Sequence, residues 1–203
     1  MARASSGEPL SALVREAGVI PEGALVDAVA GEPVRGSWWG HRSSHTIFHA
    51  LQRLEDDPEV FLCKLLEGKQ TYVHRRLWPA LLRVQSEGSL WPSLSPAARR
   101  LLTRVEREGA VQASGRPRLE LEQTLRVAAR SEHTPSGAHA VVLTPFQARF
   151  SKACRAAARR LRLKAAQAAL GIDGGVKALG PKARVLRSSA RRGRGTVRPT
   201  GRR

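Results

Sequence analysis

Three histidines, His41, His45 and His49, recur every four residues, a spacing that stacks side chains along one side of a helix. Such a column could hold a metal ion. His41, however, precedes Ser44, a hydroxyl placed to cap the helix that follows, so only His45 and His49 share a helical face. No acid or cysteine at ligand spacing completes a set, and the expectation is an exposed histidine pair without metal. His74, His133 and His139 fall on two predicted hairpins, and with His41 they would make a polar cluster if the hairpins converge. Glu132-His133, beside a turn, could in principle serve as an acid/base pair, a carboxylate and an imidazole able to move a proton. Polar hairpin surface is the plainer reading of the same two residues.

Aromatic and sulfur groups come next. Trp38 and Trp39 are adjacent, and in an extended strand neighbours point to opposite faces. One is therefore expected in the core and the other partly exposed, where it could stack on a base. Trp78 and Trp91 read as structural. Cys63 and Cys154 are 91 residues apart with no CxxC, which points to reduced structural thiols rather than a disulfide framework or zinc site. No glycine-rich phosphate loop, HExxH, GxSxG or dinucleotide fingerprint is present, so no cofactor is expected.

Two helices carry basic faces. Ser95-Pro96 opens the first, over 95–108, with a capping hydroxyl followed by proline at the first helical position. Ala98, Leu101, Leu102 and Val105 form its buried stripe, and Arg100, Arg104 and Arg107 lie opposite, where they could reach phosphates or guanine edges. The second is expected to run from Thr144-Pro145 to Gly171 as one long helix. Its Phe146, Phe150, Ala153, Cys154 and Ala157 would dock, while Lys152, Arg155, Arg159 and Arg162 track a phosphate backbone. Beyond it, Arg191, Arg192 and Arg194 sit in a Gly/Pro/Ser-rich stretch read as disordered.

Charge follows the same division. The chain has 203 residues and a net charge of +18, but residues 1–145 hold 18 basic and 16 acidic side chains, a net of only +2. Residues 146–203 hold 17 basic side chains and one acid, Asp173, a net of +16. An almost neutral body thus carries a strongly basic extension, which seeks polyanions. An Arg- and Ala-rich genome could produce the same bias without selection for binding. No apolar run approaches membrane-spanning length, and the first ten residues lack the apolar stretch of a secretory signal; both predict a cytoplasmic protein.

The elements that must position these groups follow from periodicity. Leu10–Val19 and Ala24–Ala30 read as short, loosely ordered N-terminal helices within 1–33. Ile47, Phe48, Leu51 and Leu54 recur at helical spacing until Asp57-Pro58. Residues 60–66 and 70–76 flank Glu67-Gly68-Lys69 as a hairpin, with the glycine placed to take positive φ. Leu77–Val84 and Leu119–Leu125 read as short helices, and a second hairpin joins 125–133 to 138–144 through Thr134-Pro135-Ser136-Gly137. The fold class is α+β: a body over 34–145 with winged-helix-like elements and two β-hairpins, a basic amphipathic helix over 146–170, and a basic tail over 171–203.

The run from Arg100 to Val111, an arginine-bearing helix ending in glycine and an apolar residue that would start a strand, resembles the helix-to-wing junction of winged helix-turn-helix proteins. Three further segments carry a second resemblance: Val34-Arg35-Gly36-Ser37-Trp38-Trp39, Gly68 to Leu81, and Glu132 to His139. Together they resemble bacterial proteins related to the winged-helix DNA glycosylases that unhook interstrand crosslinks, the AlkZ or YcaQ type. The likeness covers roughly residues 30–150 and implies winged-helix elements with an association to DNA or its repair. Those glycosylases carry a Gln-x-Gln catalytic motif, whereas Gln52, Gln70, Gln85, Gln112, Gln123, Gln147 and Gln167 are all isolated here, so no catalytic residue is carried over.

The reading is a DNA-binding protein working mainly through phosphate contacts, nucleoid-associated if the tail binds, with no membrane partner and no chemistry of its own. Loss of residues 151–203 is expected to weaken DNA binding and flatten its salt dependence. A divergent base-excision enzyme using Glu132 or His133, with Trp38 or Trp39 against an extruded base, and an RNA-binding protein are the alternatives.

Overall fold

The stretch Val60-Phe61-Leu62-Cys63-Lys64-Leu65-Leu66 is apolar at nearly every position, so a strand made from it has two faces to cover. The computed structural model, which describes residues 9–133 and 139–172, covers both. The chain is α+β, with two three-stranded antiparallel sheets among the described residues.

In the first, β1 (Val19–Pro21) and β2 (Val60–Leu66) flank β3 (Lys69–His74). One face is covered by α1 (Pro9–Ala17), α2 (Glu22–Ala30) and α3 (Ser44–Glu55), which bring Val14, Leu25, Ile47, Leu51 and Leu54 onto Val60 and Tyr72. The other face presents Phe61, Cys63, Leu65 and Val73 to α4 (Trp78–Gln85) and the C-terminal helices. The hairpin turns where it was expected: Glu67 and Gly68 both take positive φ, at 51° and 70°, as a two-residue turn of this hand requires. A side chain at Gly68 would also press on Gln123, whose Nε2 lies 3.0 Å from the added carbon.

The second sheet pairs β4 (Val111–Gln112) and β5 (Val127–His133) on either side of β6 (His139–Pro145). α5 (Pro96–Glu108) and α6 (Gly115–Gln123) cover it, burying Ala98, Val105 and Leu121 with Val111, Val127 and Leu143. The Ser95 cap is as expected, its Oγ accepting from Ala98 N at 3.2 Å. Glu120 reinforces it, accepting from both the Ser95 amide and the Ser95 hydroxyl.

Gly109 ends α5 at φ 78° and Val111 starts a strand, as expected; that strand, Val111-Gln112, joins the sheet edge against β6. Three expectations need correction. The single helix over 145–170 is three pieces, a 3-10 turn (Phe146–Arg149), α7 (Lys152–Arg160) and α8 (Leu163–Ala169). Phe150 and Leu161 are extended at the two breaks, Ser151 caps α7, and Arg83 Nε donates to the Leu161 carbonyl at its end. A straight 26-residue helix would span about 39 Å, whereas α4, about 12 Å long, is flanked by both α7 and α8, so the chain must turn to stay on it. Ser43 rather than Ser44 occupies the cap position of α3, without a side-chain cap bond. Finally, the helix expected over Leu10–Val19 stops at Ala17, and Val19 opens β1, a strand of three residues too short to show a period.

The N-terminal helices place Leu10, Val14, Leu25 and Val26 in a core cluster. The C-terminal pieces place Phe146, Phe150, Ala158, Ala166, Leu170 and Ile172 in the same core as Phe61 and Leu81. No helix of the described residues is long and apolar enough to cross a membrane.

Candidate nucleic-acid interface and aromatic groove

The predicted arginines of α5 point outward as expected, but two of the three are engaged. Arg104 Nε stands 3.0 Å from one Glu108 oxygen and Arg107 Nη2 2.7 Å from the other. The Arg107 and Arg104 guanidiniums hold the Glu108 carboxyl below its usual range. Of the three, Arg100 is exposed without a charged partner among the described residues. Pairing of this kind recurs across the body: Arg42 with Glu32, Arg75 with Glu59, Arg83 with Glu87 and Arg130 with Asp56.

The C-terminal pieces behave differently. From Phe146 to Ile172 there are seven basic side chains and no acid. Arg149, Lys152, Arg159, Arg160, Arg162 and Lys164 are exposed and have no carboxylate partner among the described residues. Arg155 is half-buried and donates to the Gln147 carbonyl at 3.2 Å, which removes it from the free set. On α7, Lys152 and Arg159 lie within about 20° of one another around the axis, so they form one edge. The docking face differs in detail from expectation: Cys154 is half-buried and Ala158 buried, while Ala153 and Ala157 are exposed. Arg191, Arg192 and Arg194 lie outside the described residues.

The histidines fall at several places. His41 Nε2 is 3.3 Å from Glu32, and its Nδ1 accepts from the Ser43 amide. His74 is buried at the end of β3, where its Nδ1 accepts from the Arg76 amide and its Nε2 lies 3.6 Å from Glu59. Arg75, with His74 beside it, holds the Glu59 carboxyl below its usual range. His45 and His49 are exposed and meet edge to face, with Nε2 atoms 3.0 Å apart. His133 and His139 are the last register pair of β5 and β6, and their side chains lie outside the described part. Among the described residues, no group of three or more His, Cys, Asp or Glu could hold a metal ion. Glu132 is exposed and borders a cavity of about 260 Å³ between β2 and the second sheet.

The tryptophan pair departs from the strand expectation. Trp38 and Trp39 lie in a 3-10 turn, which folds their rings onto each other at 4.1 Å and 22°. Trp38 Nε1 donates to Glu22, while Trp39 is 65% exposed, the most exposed large apolar side chain described. Phe48 of α3 stands 5.9 Å from Trp39. Together they form one wall of a groove of about 520 Å³ that reaches across to Arg130 and Ser131 of β5.

Glu55, at the end of α3, lines this groove and also the two cavities beyond it, of about 200 and 260 Å³. It has no hydrogen bond or ion pair among the described residues. Partial burial, then the neighbouring Glu22 and Asp56 carboxylates, push its pKa up. Tyr72 lies fully buried with its hydroxyl unpartnered, and burial together with Glu55 and Glu22 pushes that phenol up as well. Gln52 and Gln70 supply amides to the same groove. Sequence reasoning found the tryptophans but not Glu55, Gln52, Gln70 or Arg130. Arg130 bonds Asp56 from 74 positions away, and nothing local marks that pairing.

Behind the groove, Glu122 is a buried carboxylate held by Lys64 at 3.4 Å and Arg118 at 3.3 Å. It ties α6 to β2, and through them one sheet to the other. In comparisons with known proteins, no family model, no curated protein and no solved structure matches the chain.

Proposed function

We propose that this chain binds nucleic acid, DNA in preference to RNA, by gripping the phosphate backbone with the cations of α7, α8 and the extension beyond Ile172. The observation that carries this is the contrast in pairing. At least eight of the fifteen arginines described before residue 146 stand against a carboxylate, whereas none of the five from Arg149 to Arg162 does, and all of those five but Arg155 are exposed. An unpaired cation can neutralise a phosphate without first leaving a carboxylate, and each phosphate neutralised releases counterions condensed on the nucleic acid, which is the main source of sequence-independent affinity.

Element order supports the same reading. In the first half a helix, a short strand, two helices and a hairpin follow one another, and the sheet runs β1-β3-β2. That is the order of a winged-helix domain, with α3 standing where such domains carry the helix that enters the major groove. The second half repeats it with a single helix before the hairpin, in the order β4-β6-β5. On this reading α3, not α5, is the helix presented to DNA, and its exposed face offers His45, His49 and Gln52. The resemblance to winged-helix crosslink-repair glycosylases fits a role beside DNA repair in the bacterial cytoplasm.

The test is a salt series on duplex DNA and on structured RNA, comparing the full chain with one ending at Ile172. Cutting at residue 151 is unsuitable, because it would strip Ala158, Ala166, Leu170 and Ile172 from the core. The shortened chain should bind DNA with a shallower salt slope, since ten basic residues are gone. Tighter binding of RNA would move the assignment to RNA, and failure of the full chain to bind either polymer at moderate salt would refute it. A base-excision reading is favoured by one observation, the groove that sets exposed Trp39 beside unpaired Glu55. Release of a base from alkylated DNA, lost in Glu55→Gln with binding retained, would establish it.

A further inference from the structure

We propose that the Trp39 groove is a binding site for the base of an unpaired nucleotide that carries amino groups, with guanine the best fit. This rests on the nucleic-acid reading for the source of the base, but not for the chemistry of the site. Trp39 presents a bare indole face, backed by Trp38 at stacking distance, so the platform is already assembled before a ring arrives. Base–aromatic stacking tolerates any base and by itself does not discriminate.

The polar groups do discriminate. Three carboxylates, Glu22, Glu55 and Asp56, border the groove against one guanidinium, Arg130. Glu22 accepts from Trp38 and Asp56 from Arg130, which leaves Glu55 as the carboxylate with no partner. An unengaged carboxylate accepts hydrogen bonds and cannot donate them. Guanine offers two adjacent donors, N1–H and the N2 amino group, which match the two oxygens of one carboxylate. Its O6 then needs a donor, and the Gln52 and Gln70 amides are at hand. Adenine and cytosine offer one amino group each, so they fit less well. Uracil and thymine set two carbonyl oxygens about a single N–H and would put acceptors against the carboxylate. Glu55 stands beside Glu22 and Asp56 with no donor of its own, a deficit that two N–H groups would relieve. A free phosphate is a poor occupant of a groove with this charge balance. The volume, about 520 Å³, is also in the usual range for a small-molecule site, roughly 300–1,000 Å³.

The experiment titrates the full chain with guanosine, inosine and uridine by calorimetry. Guanosine should bind. Inosine, which lacks the N2 amino group, should bind about tenfold more weakly, and uridine should not bind measurably. Trp39→Ala and Glu55→Gln alter exposed side chains and should each weaken guanosine by about tenfold or more. A Lys152→Gln/Arg159→Gln/Arg162→Gln protein should keep its guanosine affinity, so failure of the phosphate reading and failure of this one are read separately. A nine-nucleotide thymidine strand with one central guanine should bind wild type more tightly than the all-thymidine strand, and Trp39→Ala should lose that preference. Uridine binding as tightly as guanosine, or an unchanged Glu55→Gln, overturns the assignment. Equal affinity for the two strands overturns the strand as source. Guanosine affinity that rises when the chain is cut after Ile172 would make the chain's own basic segment the occupant, and overturns it too.

Discussion

Replacing Lys152, Arg159 and Arg162 together by glutamine removes three cations that are exposed and unpaired, in a region with no acid to rebalance them. If each sits on a phosphate, each contributes about 0.9 to the slope of log K against log salt, so the triple variant should be shallower by about 2.7. At 0.1 M salt that slope difference amounts to a loss of roughly 500-fold in affinity, shrinking toward nothing near 1 M. The comparison that gives the number meaning is Arg104→Gln/Arg107→Gln on α5. Both of those arginines are held by Glu108, so they would have to leave a carboxylate to reach a phosphate. Their removal should change the slope by less than about 0.5. The assay is fluorescence anisotropy on one duplex from 50 mM to 400 mM salt, with circular dichroism to confirm that both variants are folded. An unchanged slope in the triple variant refutes the reasoning. So does an equal flattening in the α5 variant, because pairing would then not decide which arginines are available.

Four further outcomes follow from the packing. Phe150 meets Phe61 at 5.1 Å and Trp78 at 5.4 Å, so Phe150→Ala should destabilise the chain by about 3–5 kcal/mol in urea denaturation; a loss below about 1 kcal/mol would show that the C-terminal pieces are not part of the main core. Ser95→Ala removes the α5 cap and strands Glu120, and should cost about 1–2 kcal/mol, more than Ser151→Ala, whose hydroxyl only caps α7. The Glu55 pKa is raised above the ordinary 4.5, so the folded state binds its proton more tightly than the unfolded chain does. Stability should therefore fall as pH rises from about 4.5 toward the raised value, and Glu55→Gln should abolish that fall, a gain at neutral pH of a few tenths of a kcal/mol for so exposed a group, visible in Tm between pH 4 and 8. Burial pushes the Cys63 thiol up to about 12, whereas Cys154 is half-buried, so a thiol reagent should label Cys154 in the native protein and Cys63 only on unfolding.

Local signals were legible where one short stretch contained both the cause and the effect. Ser95-Pro96 starts α5 because the hydroxyl and the fixed proline φ act within one turn. Glu67-Gly68 turns the first hairpin for the same reason, and Ile47, Leu51 and Leu54 are buried on the arc that their spacing defines. The C-terminal helix was misread because its local composition, rich in alanine and arginine, favours helix throughout. Its two breaks come from the need to wrap α4.

What the sequence determined by itself is therefore the local and the summed: the α+β class, both hairpins, the Ser95 cap, and an excess of positive charge gathered after residue 145. Tertiary structure alone decided which charges are free. Arg104, one turn away, and Arg107, the adjacent residue, share Glu108, but Arg130 is tied to Asp56, and Glu122 to Lys64, across elements far apart in the chain. It also decided the groove, where Trp39 of a 3-10 turn, Glu55 at a helix end, Gln70 of a strand and Arg130 of the other sheet meet. Periodicity reports which face of an element is apolar. Which elements face one another follows from how two sheets and their helices cover each other's apolar faces, and that can be read only from the packed chain.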